Sequence, residues 1–398
     1  MTPRRARQIT PPNRTSLRLF VRAALLGLAA GVAAVAQACT IFVLAGPERT
    51  LFGNNEDWSN PVTRLWFEPA GADHHGAAYL GFDDGWAQGG LNTEGLAFDW
   101  VAGAKVSWEP PAHLEPVRGN PAVRMLETCA TVEDAIAFFR RHREPSFASA
   151  RILVADRSGA SVIVGLRNGE LVFDRAETSR GFGYGGRTLE SRLAGSPEVT
   201  EDQAFEILHA CRQEGMYPTQ YANVFDLTAG TISVRGGPAA HAPVVRLSLD
   251  AELGKGAHYY DIDQLAEQVT ALPRPLLAVM GRFRFDGLTP IADPTPALTA
   301  RLRKALGDAI RGELDAADYT PEVFAALAPR REASRDELRQ LGSIRSIALL
   351  QAQETFAGSM RLFRVEFDQA TVLLHYRFTP EGVISHIANE GAERRQGE

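Results

Sequence analysis

Six arginines (Arg4, Arg5, Arg7, Arg14, Arg18 and Arg22) precede an apolar run over residues 23–36, which ends in Ala36-Gln37-Ala38-Cys39-Thr40-Ile41-Phe42. A positive stretch, a short apolar stretch and an Ala-x-Ala site, in that order, is the build of a secretory signal. It decides where folding can start: residues 1–38 are expected to be removed as a signal peptide, and the folded chain to begin at Cys39. The apolar run is too short and too rich in Ala and Gly to span a bilayer, which takes roughly 20 residues. Arg4-Arg5 also hints at twin-arginine export, although the usual apolar follow-up is missing. The expected location is therefore outside the cytoplasm, in the periplasm, where disulfides persist.

A cut after Ala38 would leave a thiol and a free α-amine on one residue. A thiol titrates near ~8.5 and an α-amine near ~7.7 to 8.0, so the amine can take the thiol proton near neutral pH without a histidine. A precursor with that nitrogen locked in a peptide bond should be inactive, so processing would switch the protein on. The other cysteines, Cys129 and Cys211, fall in helical-looking apolar patterns and are either a pair or buried hydrophobes. A different reading of Cys39 is a lipidated residue tethering a non-catalytic binding protein to the membrane. Ala36 and Gln37 fit an ordinary peptidase site better than a lipobox.

At 398 residues, with 45% hydrophobic and 23% charged content, the chain has the make-up of two folded units. A net charge of −6 gives no electrostatic footprint for nucleic acid. Residues 40–44, 51–52, 77–82 and 89–98 read as short strands joined by Gly, Pro and Asp turns. Thr131, with Glu133 and Asp134 behind it, marks a helix start. Strands follow at 151–156, 161–165 and 171–173, a helix over 201–212 capped by Thr200, and a hairpin at 223–234. The short turns predict antiparallel pairing. Pro290, Pro294 and Pro296 read as a linker. After it come helices at 297–309, 321–327 and 337–341, then strands at 346–350, 360–367, 371–378 and 383–386. That order suggests a small α+β module over 297–398 resembling the cystatin-like or NTF2-like folds, a likeness that carries no function.

Cys39-Thr40, the stretch Gly53-Asn54-Asn55-Glu56-Asp57-Trp58, the stretch Gly90-Leu91-Asn92-Thr93-Glu94-Gly95-Leu96, and residues 219–227 resemble, in that order, the choloylglycine hydrolase and penicillin V acylase family of N-terminal nucleophile hydrolases. The resemblance covers about residues 39–285. It implies a four-layer αββα fold over a domain of residues 39–288, and hydrolysis of a linear, non-peptide acyl amide through a thioester, without metal or organic cofactor. It implies Cys39 as nucleophile, Asp57 as the aspartate that holds the terminal amine, and Asn92 as a side-chain donor to the oxyanion. Acyl transfer on the same scaffold would differ only in the acceptor. The resemblance also fits a homo-oligomer; the sequence itself does not set the oligomeric state.

Two departures stand out. Asn54 occupies the place where the family has an arginine beside the thiol, so either another arginine substitutes, with Arg187 and Arg64 as candidates, or rate and substrate differ. The glycines of Gly181-Phe182-Gly183-Tyr184-Gly185-Gly186 stand where the family has an asparagine-bearing loop. They match G-x-G-x-x-G formally but lack the preceding buried strand of a dinucleotide site, and so fit a close approach of backbone to a substrate or a neighbouring strand. His74-His75 beside Asp73 has no companion ligands and reads as a solvated loop.

Overall fold

The structure is a computed structural model that describes residues 39–194, 197–215, 217–237, 242–277, 280, 289–355 and 358–394. The signal segment, residues 1–38, and the expected domain end at residue 288 lie outside the described residues. The chain is α+β and forms two compact units that meet in sequence at Asp286–Gly287.

In the first unit β1 (Thr40–Ala45) and β2 (Thr50–Asp57) form a hairpin, followed by β3 (Thr63–Glu68), β4 (Ala77–Phe82), β5 (Ala87–Asn92) and β6 (Ala97–Ala102). Helices α1 (Pro121–Thr128) and α2 (Val132–Arg141) precede β7 (Ala150–Ala155), β8 (Ser161–Arg167), β9 (Glu170–Ala176) and β10 (Arg180–Gly183). Next come α3 (Gly186–Ala194), α4 (Glu201–Ala210), β11 (Thr219–Asp226), β12 (Thr231–Gly236) and β13 (Val245–Ser248). The short helices α5 (Leu249–Leu253) and α6 (Leu265–Gln268) flank β14 (His258–Asp261), and β15 (Arg274–Pro275) closes the unit. These strands make a six-stranded sheet in the order β10-β1-β2-β11-β12-β13 and a nine-stranded sheet in the order β15-β14-β3-β4-β5-β6-β7-β8-β9. Every paired strand is antiparallel.

Alternation along the strands sorts side chains into distinct cores. Ile41, Val43, Phe52, Tyr221 and Phe225 of the six-stranded sheet share one apolar cluster with Leu65, Phe67, Leu80, Leu91 and Leu153 of the other. Phe42, Leu44, Leu51 and Val224, one residue out of phase, face Leu189 of α3 and Phe205, Ile207 and Leu208 of α4. Thr131 caps α2 in a reciprocal box with Asp134, as its spacing predicted. Thr200 caps α4, which ends at Ala210 with Cys211 as its C-cap, slightly short of the expected span. The polar stretch after Phe52, expected to lead out of a strand, is strand through Asp57, every residue of it buried. Helix α1 ends with Cys129 as its C-cap, inside the apolar pattern that reads as helical, whereas α3 begins at Gly186, in glycines that the sequence does not mark as helix.

The second unit carries α7 (Pro296–Arg311), α8 (Pro321–Leu327) and α9 (Arg331–Gln340), then a four-stranded antiparallel meander of β16 (Ile344–Thr355), β17 (Gly358–Phe367), β18 (Ala370–Phe378) and β19 (Ile384–Arg394). Leu302 and Leu306 of α7, Leu327 and Leu338 pack against Phe363, Val365, Leu374 and Phe378 of one sheet face. Pro296 opens α7 at a position where no helical N–H is needed, and Gly312 closes it in the left-handed region at φ 78°.

One buried ion cluster ties α5 to β14. Glu252 accepts hydrogen bonds from Tyr260 at 2.8 Å and Lys255 at 2.8 Å, and its other contact is the His258 ring at 3.0 Å. Those partners outweigh burial and hold its carboxyl at about 2. A carboxyl lowered in the folded state adds stability above its unfolded value, near ~4.3, that is lost as pH falls through the folded value. Glu252→Gln should therefore cost about 2 kcal/mol at neutral pH and flatten stability between about pH 4.5 and pH 2, read by urea unfolding across that range.

Candidate active site

Cys39 lies at the free end of β1, one residue before the first ladder pair, Thr40 opposite Asn55. Its side chain is 7% exposed and turned to the face that the two sheets share. The phase of β2 puts Asn54 and Glu56 on that same face, while Asn55 points outward and donates to the Leu208 carbonyl at 2.8 Å. Opposite them, β11 carries a bulge between Thr219 and Tyr221, which sets Thr219 against Asp57 and Tyr221 against Glu56. Bulges that re-aim side chains are common beside active sites. The extra residue, Gln220, hydrogen-bonds the Trp58 carbonyl.

The sulfur is contacted by the β2 backbone and by a carboxyl. The Asp57 N–H donates to Sγ at 3.5 Å, and Sγ lies 3.5 Å from Glu56 Oε1. Asn54 Nδ2 donates to Glu56 Oε2 at 3.4 Å and to Asn223 Oδ1 at 3.3 Å. Asp57 Oδ1 accepts from the Thr219 hydroxyl at 2.6 Å, which itself accepts from the Gln213 N–H. Several atoms of this cluster are buried without a hydrogen-bond partner: Asn54 Oδ1, Asp57 Oδ2, Asp99 Oδ2 and Asn223 Nδ2. Buried polar atoms are nearly always satisfied, so such a concentration sets this cluster apart from the surrounding core.

Electrostatically the cluster is acidic. Burial raises the Cys39 thiol well above its ordinary value, and the charges of Glu56, Asp57 and Asp99 add to the rise, against the Asp57 N–H. Burial first, then Asp57, raises Glu56 to about 8. Burial also lifts Asp57 to about 7, opposed by the Thr219 hydroxyl and the charge of Arg212. Asp99 comes from β6 of the other sheet and is pushed well up by burial and by Glu56. Gly89 makes room for it, since a Cβ there would sit 2.2 Å from Asp99 Oδ2.

The glycine-rich stretch packs on the nucleophile candidate itself. Gly181 and Gly183 belong to β10, which pairs with β1, and the Tyr184 N–H donates to the Cys39 carbonyl at 3.1 Å. Gly183 has φ +128°, and a Cβ on it would fall 1.8 Å from the Cys39 oxygen. That glycine serves a neighbouring strand.

Not every expected residue is where the resemblance put it. Cys39, Asp57 and Asn54 come together. Asn92 does not serve as a free donor: its Nδ2 donates to the Leu126 and Cys129 carbonyls at 2.7 and 2.8 Å, and its Oδ1 accepts from the Glu94 and Leu96 N–H groups. With both amide hydrogens engaged, Asn92 locks the β5–β6 turn to the end of α1. Arg64 is not a substitute for the missing guanidinium. It is fully buried in β3, bonded to Asp261 at 3.3 Å and to the Asp83 carbonyl at 3.0 Å. Arg187 is exposed at the start of α3. Cys129 and Cys211 are both free and buried, which resolves them as hydrophobes. His74 closes a local turn through Asp73 and the Pro69 carbonyl.

Glu56, Thr219, Tyr221, Asn223, Asp99 and Arg212 complete the site. Period-two spacing from Asn54 would have found Glu56, and Tyr221 and Asn223 lie in the 219–227 stretch; nothing in the sequence singles out Asp99 or Arg212. Two substitutions separate structural from chemical roles. Asn92→Ala should lower stability by roughly 3 kcal/mol by orphaning buried carbonyls and N–H groups, seen in denaturant melts. Gly183→Ala should disorder Cys39, exposing the buried thiol and so speeding its labelling while lowering the melting temperature.

No protein-family model matches the chain, and no curated protein matches it. Solved structures similar to it include penicillin V acylase from Agrobacterium tumefaciens, at 15% identity and TM-score 0.46 over 56% of this chain and 91% of that one. A variant of conjugated bile acid hydrolase from Clostridium perfringens matches at 13% identity and TM-score 0.46, over 60% of this chain and 99% of that one. A second variant of that hydrolase matches at 15% identity and TM-score 0.41, over 56% and 96%. Likeness at this level concerns fold alone and leaves the chemistry to the site.

Proposed function

We propose that the protein is an exported hydrolase of linear acyl amides in which Cys39, made N-terminal by removal of residues 1–38, is the nucleophile. The observation that carries this reading is the thiol at the start of β1, against the Asp57 N–H and beside an Asp57 carboxyl whose Oδ2 is buried and unpartnered. A newly released ammonium is the donor such an oxygen lacks. Its charge would draw the Asp57 carboxyl back down, and the neutral amine would take the thiol proton. The thiolate attacks the amide carbonyl, the amine product leaves, and water resolves the thioester. With Asn92 engaged, oxyanion donors are sought at the Asp57 N–H and at Asn223, whose Nδ2 has no partner. Such contacts are worth about 3 to 4 kcal/mol in other enzymes.

In this reading the two sheets, with helix pairs outside them, are the four layers of an αββα hydrolase domain, and the second unit is a cystatin-like or NTF2-like module. The substrate panel takes penicillin V and bile-salt conjugates from the names of the solved neighbours, and adds N-acyl homoserine lactones and acyl amino acids as further linear acyl amides. Trp58, 38% exposed and stacked on Tyr217 at 5.6 Å beside Asp57, offers an apolar platform for an acyl group. Processed protein should hydrolyse at least one panel member, with Cys39→Ser reducing turnover at least a hundredfold and uncleaved precursor inactive. Activity that survives in either form would sink the assignment of nucleophile or base.

A further inference from the structure

Among the described residues no guanidinium is in contact with the thiol, yet one side chain is held against its sulfur. Glu56 Oε1 is 3.5 Å from Cys39 Sγ, and Oε2 accepts from Asn54 Nδ2 at 3.4 Å. While the sulfur is protonated the thiol donates to Oε1, as Asn54 does to Oε2; once the thiol has given up its proton, Oε1 is the oxygen facing a sulfur that can only accept, and a carboxyl hydrogen there bonds it. The groups turned toward Glu56 are Cys39 from β1, Asp57 from its own strand, Asp99 from β6 and Tyr221 from β11. Glu56 is 4% exposed. A sealed carboxyl among other acids carries its proton at neutral pH, in line with the upward shift noted above.

Resting on the proposed nucleophile, we propose that Glu56 is a further catalytic residue: its carboxyl hydrogen, on Oε1, bonds the Cys39 thiolate and is then passed to the departing amide nitrogen. The bookkeeping closes. The α-amine takes the thiol proton, giving ammonium and thiolate. Sulfur bonds the carbonyl carbon, and collapse of the tetrahedral intermediate breaks C–N as nitrogen receives the Glu56 proton. Water then attacks the thioester and gives a proton to the Glu56 carboxylate. The C–S bond breaks, and the ammonium returns its proton to the sulfur. A neutral donor so placed does part of the work of the missing arginine, and Asn54, unable to stabilise the thiolate by charge, orients the group that can.

Iodoacetamide alkylation of Cys39 at pH 7 in the processed protein, followed by the mass of the Cys39 peptide, tests the donor without any substrate. Glu56→Leu should alkylate about tenfold more slowly, and Glu56→Gln, which keeps an N–H for the sulfur, within about threefold of wild type. A Glu56→Leu rate at or above wild type would mean that Glu56 is an anion repelling the thiolate, and an equal fall in both variants a merely structural role; either overturns the proposal. Should Glu56→Leu fail to fold, Asn54→Ala, which lets the hydrogen shift to Oε2, should slow alkylation severalfold, and an unchanged rate is the adverse result. Proton delivery is read from penicillin V against p-nitrophenyl phenoxyacetate, whose leaving group needs no proton. Glu56→Gln should lower the amide-to-ester ratio of kcat at least tenfold, and an unaltered ratio overturns that step. A wild-type Cys39 that resists alkylation, or turnover that survives Cys39→Ala, would remove the nucleophile itself and the proposal with it.

Discussion

A strand buried on both faces must find partners for every side chain it carries, and β2 is such a strand. Its residues from Thr50 to Asp57 are all buried, flanked by β1 and β11, with α4 behind and the second sheet in front. Toward Phe52 the requirement is met by apolar packing. Beyond Gly53 it is met by polar pairs: Asn55 to a helix carbonyl, Asn54 to Asn223 and Glu56, Asp57 to Thr219. Polar groups sealed from water are costly unless bonded, so the partners on β11 and α4 define where β2 can sit. Cys39 inherits its position from that arrangement through the β1 ladder.

The same constraint explains what the sequence made legible. Strands β1, β4, β7, β8, β11 and β12 and helices α2 and α4 announce themselves by alternation, caps and turn residues. The end of β2 did not, because Gly-Asn-Asn-Glu-Asp has the composition of a turn and becomes strand by laddering with β1 on one side and with β11, far away in sequence, on the other. Helix α3 was hidden for a related reason: the glycines that precede it answer the crowding at the Cys39 carbonyl, not the needs of a loop. At the candidate site, local motifs carry Cys39 and Asp57, which the structure brings together. The motif that carries Asn92 names a residue without saying which of its hydrogens are engaged, and both are. Glu56 was passed over although it stands two residues from Asn54, the separation that puts both on one face.

Placing acids where an arginine is expected changes the electrostatic logic of the thiol. A guanidinium stabilises a thiolate by charge at any working pH, whereas Glu56, Asp57 and Asp99 oppose it once ionised and assist only while protonated. Their mutual burial keeps that condition accessible: each carboxyl is raised chiefly by loss of solvent. The site is then poised by how many protons it shares rather than by a fixed cation, and its titrations belong to the cluster more than to single residues. Arg212 acts on Asp57 by charge, against the effect of burial. On the proposed reading, a nucleophile so enclosed is suited to amides whose departing nitrogen needs a proton, since the proposed donor beside the sulfur is also the nearest source of one.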